Sequence, residues 1–167
     1  MNTYTLIHVL LSLIGIFSGL VMLYGLLTSR PAAGWTHLFV WTTAATTLTG
    51  FGFPFNGFTP AIGVGIVSTV ILLCTVIALY VKKLAGAWRG VYVVTAIAAL
   101  YLNVFVLIVQ LFLKAPALHA LAPQGKEPPF AIAQGTTLLL FLVAGYLSFK
   151  RFHPQAASAV PGMPLQS

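Results

Sequence analysis

Five long apolar runs, separated by short links rich in proline, glycine and basic residues, most strongly limit what this chain can fold into. They lie at about residues 4–28, 34–53, 60–82, 88–113 and 130–150. A helix needs about 20 apolar residues to cross a hydrocarbon core, and each run is close to that length or longer. Membrane β-strands would alternate polar and apolar residues over about 10 positions, and these runs do not. The sequence therefore predicts an all-α, polytopic transmembrane helix bundle with five spans.

The composition leaves little room for a separate soluble domain. Hydrophobic residues make up 59% of the 167 positions and charged residues only 5%, which is far from the usage of soluble domains. We therefore predict a single transmembrane domain over residues 1–153. The remaining segment, residues 154–167, is small, polar and proline-bearing, and we expect it to be a disordered cytoplasmic tail.

The basic residues predict the orientation of the bundle, because short loops rich in Lys and Arg stay in the cytoplasm. With five spans, the loops on the opposite side hold only Lys114 and Lys126, whereas six basic residues share one side: Arg30, Lys82, Lys83, Arg89, Lys150 and Arg151. We expect a multi-pass protein of the inner (plasma) membrane with its amino terminus outside and its carboxyl terminus in the cytoplasm. The lipid bilayer is then the main partner, and the chain has no basic groove that would suggest nucleic acid.

Stripes of small residues run along two of the predicted helices. Gly15 and Gly19 are four residues apart on the first helix, and Gly65 and Ser68 are three apart on the third. Small residues at helical spacing let a second backbone come close within a membrane. We predict helix packing at these positions, either inside the bundle or against a membrane-protein partner or a second copy of the chain.

Five threonines lie within residues 41–49, where the second run would otherwise be apolar. Thr46 and Thr49 belong to a broad hydroxyl face of the predicted helix. A threonine hydroxyl is tolerated in a membrane because it can bond to the carbonyl one turn earlier. Two interpretations are open: the face packs against neighbouring helices, or it lines a polar cavity.

Larger polar side chains favour the cavity. At about 1.5 Å of rise per residue, His8, Gln110 and Gln134 lie roughly 9 to 14 Å outside the membrane midplane, with Asn103 slightly deeper. Unpartnered amides and imidazoles are costly in a membrane, so these groups should meet one another, water or a ligand. We predict that they bind a ligand by hydrogen bonds. A plain alternative for His8 is an interfacial histidine that bonds lipid headgroups.

The longest predicted external loop, residues 114–130, holds His119 and Glu127, which we place at the mouth of this polar layer. Four phenylalanines follow the threonines and would form an apolar rim, or would serve only as interfacial anchors: Phe51, Phe53, Phe55 and Phe58.

Histidine placement argues against a haem protein, although the side of the membrane pairs His8 with His119 and His37 with His153. Bis-histidine ligation needs two imidazoles at matched depth on facing helices, and two of these four lie in a loop or after the last helix. Cys74 is the sole cysteine, so the chain has no thiolate pair for a disulfide or metal site. No run contains a carboxylate, and no nucleophile has an oriented base. We therefore predict no catalytic residue and no metal ligand.

Three stretches of the chain resemble small bacterial inner-membrane proteins to which no activity is attached. They are TGFGFPF, AGAWRGVYVVTAIAALYLNVFVLIVQ and KEPPF, within residues 38–149. The resemblance implies a membrane location and transfers no catalytic role.

Three classes of function remain, in this order of preference. The first is a non-enzymatic membrane protein that binds a small molecule or lipid in an outward-facing polar layer, or helps move one. The second is an accessory or assembly subunit of a larger membrane complex. The third is a small redox protein that holds haem or a quinone.

Overall fold

The computed structural model describes residues 2–54, 57 and 59–153, and these form helices joined by short links, without a strand in the described ranges. The predicted tail, residues 154–167, lies outside the described residues. The helices are α1 (Thr3–Leu27), α2 (Ala33–Gly50), α3 (Pro60–Val76, continued by a π-helical turn at Ile77–Val81), α4 (Trp88–Lys114), α5 (Pro116–Leu121) and α6 (Pro128–Arg151). The prediction of an all-helical bundle is confirmed.

Four helices in the described part of the chain are long and apolar enough to cross a membrane: α1, α3 with its π-turn, α4 and α6. Helix α2 is the exception, which corrects the predicted number of apolar spans from five to four. The helix forms where it was expected, but it has 18 residues and carries His37 and six threonines, which lower its apolarity. At about 1.5 Å per residue it is still about 27 Å long.

Helices α1 and α2 form an antiparallel pair along their whole length. The Tyr4 hydroxyl donates to the carbonyl of Thr49 at 2.5 Å near one end, and Gly25 lies against Ala32 at the other. Helix α2 therefore returns the chain to the end of the bundle where α1 begins. We call this the amino-terminal end; α3 and α6 begin there and α4 ends there.

Helix α4 is the centre of the bundle and contacts α1, α3 and α6, with fewer contacts to α2. Its residues Tyr92, Val93, Ala96 and Leu100 are almost completely buried. Alanines at this seam let neighbouring backbones approach, since packing within lipid depends on close contact and not on expulsion of water. The core of the protein therefore follows one face of α4.

Local signals in the sequence begin the helices at the amino-terminal end. The side chain of Asn2 accepts a hydrogen bond from the amide of Thr5 at 2.8 Å, and that of Thr59 accepts one from Ile62 at 3.4 Å. Pro60 follows as the first residue of α3, where its missing N–H is not needed. The predicted loop over residues 114–130 also contains helix α5, which the sequence analysis did not foresee.

Candidate functional site

A cavity of about 920 Å³ lies at the amino-terminal end between α1, α2, α3 and α4. Most of its lining is aliphatic or aromatic. The polar side chains that line it are Thr5, His8, Ser12, Thr46, Thr47, Ser68, Asn103, Gln110 and Lys114. The structure thus brings four of the eight predicted ligand-binding residues, His8, Thr46, Asn103 and Gln110, to one cavity.

Short side chains on α3 form part of the cavity wall. Ala61, Val64, Gly65 and Ser68 all line the cavity, and their spacing of three and four places them on one face of the helix. Short side chains on this face leave volume that larger ones would fill. Gly65 and Ser68 therefore border the cavity; a methyl group at Gly65 would come within 3.0 Å of the Phe51 ring.

Gly15 and Gly19 lie on α1 farther from the amino-terminal end than the cavity does. Both are buried in contacts with α2 and α4. A methyl group at Gly15 would come within 3.3 Å of the hydroxyl oxygens of Thr42 and Thr43. At Gly19 it would come within 2.5 Å of Leu100 Cδ1 and 2.8 Å of Phe39 Cδ2. These two positions close the bundle beneath the cavity.

His8 is half-buried on α1, and its Nδ1 lies 2.9 Å from the hydroxyl oxygen of Thr49. That hydroxyl also donates within α2, to the carbonyl oxygens of Ala45 at 2.7 Å and Thr46 at 3.1 Å. Thr49 itself does not line the cavity and instead positions the histidine that does.

Asn103 connects α4 to α2, because its Nδ2 donates to the Thr43 hydroxyl at 3.1 Å. Thr43 is buried and belongs to the predicted hydroxyl face. The threonines of α2 therefore do both things that the sequence left open: Thr43 packs and bonds at a helix interface, while Thr46 and Thr47 line the cavity.

Thr46 is only 7% exposed, and its Oγ1 is buried without a hydrogen-bond partner among residues 2–54, 57 and 59–153. A buried hydroxyl that makes no hydrogen bond costs free energy, typically about 1–3 kcal/mol. Thr46 lines the cavity through other atoms, because this oxygen itself is not accessible to solvent.

Gln134 lies outside the cavity lining, between α4 and α6. Its Nε2 donates to the carbonyl of Phe105 at 3.2 Å, and its Oε1 is buried and unpartnered within the described residues. It is half-buried, so it does not simply face lipid. Its place in the structure is at a helix interface.

His119 and Glu127, which we predicted at the mouth, do not line the cavity and make local bonds instead. His119 Nδ1 donates to the carbonyl of Phe112 at 3.2 Å. The carboxylate of Glu127 accepts from the amides of Gln124 at 3.0 Å and Lys126 at 2.9 Å. These amides, Gln124 first, hold the pKa of the Glu127 carboxyl below its usual range. The carboxylate thus closes the turn before α6.

Two of the four predicted rim phenylalanines, Phe51 and Phe53, line the cavity. The Phe53 ring lies edge-on to His8, with ring centroids 5.1 Å apart. Phe55 and Phe58 lie outside the described residues.

Lys114 is a cavity residue outside the set predicted from the sequence. It occupies the last turn of α4 and lines the cavity together with Gln110, one turn earlier. The sequence does contain a pattern that indicates its place: residues 103, 107, 110 and 114 recur at helical spacing and therefore lie on one face of the helix. The lysine was placed in a loop because the predicted span ended at residue 113.

Two histidines at other places in the fold also have hydrogen-bond partners. His37 Nδ1 lies 2.6 Å from the Tyr80 hydroxyl in the π-turn, and His153 Nδ1 lies 3.3 Å from the carbonyl of Arg151. Within the part of the chain that the structure describes, no three His, Cys, Asp or Glu side chains form a group that could hold a metal ion. The cavity is therefore a candidate binding site built from hydroxyls, amides, an imidazole and one ammonium group.

Comparisons with family models, curated proteins and solved structures find no match to this chain.

Proposed function

We propose that this integral membrane protein binds an amphipathic molecule, a lipid or a lipid-like compound, in the cavity at its amino-terminal end. The observation that carries the proposal is the cavity itself: about 920 Å³ of mainly apolar space with polar groups from four helices on its walls. Ligand-binding cavities typically measure about 300–1,000 Å³ and combine apolar walls with a few placed polar groups. The protein would bind this molecule and would not change it chemically.

The polar groups should decide which molecule binds. Lipid tails are as apolar as leucine, so apolar walls alone give a molecule little reason to leave the bilayer for the protein. Hydrogen bonds to Asn103 and His8 would supply the preference. In a molecule with an apolar tail and a polar head, the tail would contact the apolar walls and the head would bond to the polar groups.

Filling the cavity tests this proposal. Ser68 lines it, so Ser68→Phe should lower the amount of amphiphile that remains bound when the protein is released gently from its own membranes. The matched control is Val70→Phe on the same helix, because Val70 is 57% exposed and does not line the cavity. Native mass spectrometry with lipid extraction measures the bound mass.

We expect a bound amphiphile on the unmodified protein and on Val70→Phe, and a several-fold lower occupancy on Ser68→Phe. Equal occupancy in all three proteins would show that any bound molecule lies elsewhere. A bare chain in the unmodified protein, with no uptake of added lipid, would contradict the proposed function itself.

We also propose that the amino-terminal end faces outward and that the chain resides in the inner membrane. The pairing of α1 with α2 supports the alternation of sides on which the count of basic residues depends, because α2 returns to the end where α1 begins. Green fluorescent protein fused after residue 153 should fluoresce, and alkaline phosphatase at the same position should be inactive. Phosphatase fused after residue 123 is the control, and the reverse pattern would disprove the orientation.

A further inference from the structure

The electrostatics of the cavity narrow the class of ligand, an inference that rests on the proposed function. Lys114 lines the cavity from the last turn of α4, and Gln110 lies one turn deeper on the same face; both are exposed, and we call the end of the cavity that they line its opening. His8 lies on the wall that α1 contributes. The opening therefore presents an ammonium group, an amide and an imidazole.

No carboxylate of the described chain faces this ammonium group across the cavity. Glu127 is the sole Asp or Glu in the sequence, it does not line the cavity, and both of its oxygens accept backbone amides of its own turn. The carbonyls at the end of α4 favour a cation nearby, but they carry only a partial charge. The opening is left with a positive charge that a ligand can complement.

The depth of the cavity suits a lipid tail. Its lining on α4 extends from Lys114 to Leu102, twelve residues or about 18 Å along the helix. Half of a hydrocarbon core of about 30 Å is about 15 Å, so the cavity is as deep as one leaflet's acyl chains are long. Below the polar opening, Ile16 and Leu102 provide apolar walls.

We infer that the cavity binds an anionic amphiphile, with a carboxylate or phosphate head at Lys114 and an acyl-length tail between α1 and α4. A charge-assisted hydrogen bond from the ammonium group would hold the head, and Gln110 lies near enough along the helix to add an amide donor. The tail would fill the apolar part. Neutral and cationic amphiphiles of equal chain length should bind less well.

The full chain in neutral phosphatidylcholine vesicles provides the test. The probe is hexadecanoate that carries a photoreactive diazirine in its tail, and mass spectrometry maps the cross-linked residues. Competitors with one chain length separate the head groups: hexadecanoate, hexadecyl phosphate, hexadecanol and hexadecyltrimethylammonium. We expect cross-links on the cavity walls and competition by the two anions only; the stronger of these identifies the head as carboxylate or phosphate.

Three variants isolate the role of the charge. Lys114→Gln should weaken binding about tenfold, Lys114→Arg should retain it, and Lys126→Gln should leave it unchanged because Lys126 does not line the cavity. A Coulombic contribution should also weaken as salt is raised. Thermal unfolding of each variant shows whether Lys114→Gln has lost only the head-group contact; if that variant is destabilised, the salt dependence and the competitor series decide.

Two outcomes would contradict the inference, and they differ in whether the proposed binding function survives. Equal competition by hexadecanol, together with unchanged binding by Lys114→Gln, would overturn the anionic ligand while leaving the binding function intact. Cross-links confined to the outer surface of the bundle, or no saturable cross-linking with any competitor, would overturn both.

Discussion

Replacing Gly19 with alanine is expected to lower the free energy of unfolding by about 1–3 kcal/mol, the usual cost of overpacking a filled core. The added methyl group would lie 2.5 Å from Leu100 Cδ1 and 2.8 Å from Phe39 Cδ2. Both neighbours are completely buried, so neither can move aside without displacing others. Unfolding followed by circular dichroism in a fixed detergent measures the loss.

Gly135→Ala is the matched control, because Gly135 is also helical and nothing lies within 4 Å of a methyl group built there. Alanine favours a helix over glycine by about 0.5–1 kcal/mol, so this variant should be as stable as the original protein or slightly more stable. If Gly19→Ala matched Gly135→Ala, the close approach of α1 to α2 and α4 would be wrong.

Replacing Arg89 with leucine is expected to cost about 1.5–3 kcal/mol, the range for hydrogen bonds to charged groups. The guanidinium of Arg89, at the start of α4, donates to the carbonyl of Phe149 at 3.1 Å and also to that of Phe152. The carbonyl of Phe149 is among the last four of α6, which have no partner within the helix. Phe152 itself is buried against Tyr92, so these bonds hold the end of α6 on the centre of the bundle.

Two comparisons make that result specific. Arg30→Leu removes an exposed arginine from the same side of the predicted topology and should change stability little. Arg89→Lys should recover only part of the loss, since both bonds come from one guanidinium nitrogen and the more strongly hydrated lysine ammonium is costlier to hold there. Protease sensitivity of the chain after residue 151 should rise in Arg89→Leu and remain unchanged in Arg30→Leu; equal sensitivity in both would contradict the anchoring role.

Most helices were predictable from the sequence, because the residues that begin and end a helix lie next to it in the chain. Runs of apolar residues bounded by Pro60, Pro128 and the basic links predicted the helix ends to within three residues. The errors have physical causes as well. Helix α2 was counted as an apolar span although its threonines reduce its apolarity, and α5 was hidden in a loop because six residues show no periodicity.

The candidate site was predictable only in part. Depth along a helix follows from residue number, and His8, Asn103 and Gln110, which it places at one end, line the same cavity. Rotation about the helix axis and the identity of the facing helix do not follow from depth. Gln134 has the same depth as His8 but lies at the interface of α4 with α6, and Thr49 lies behind His8 as its hydrogen-bond partner.

The sequence by itself determined the class of protein, the positions of the helices and the end of the helices at which the polar residues lie, since each of these depends on composition and spacing along one chain. The tertiary structure decided which polar groups meet. Packing of small residues brought α1 against α2 and α4, while α3 lines a cavity with its face bearing Gly65 and Ser68. Contacts between distant segments depend on shape, and shape is fixed only when the helices pack.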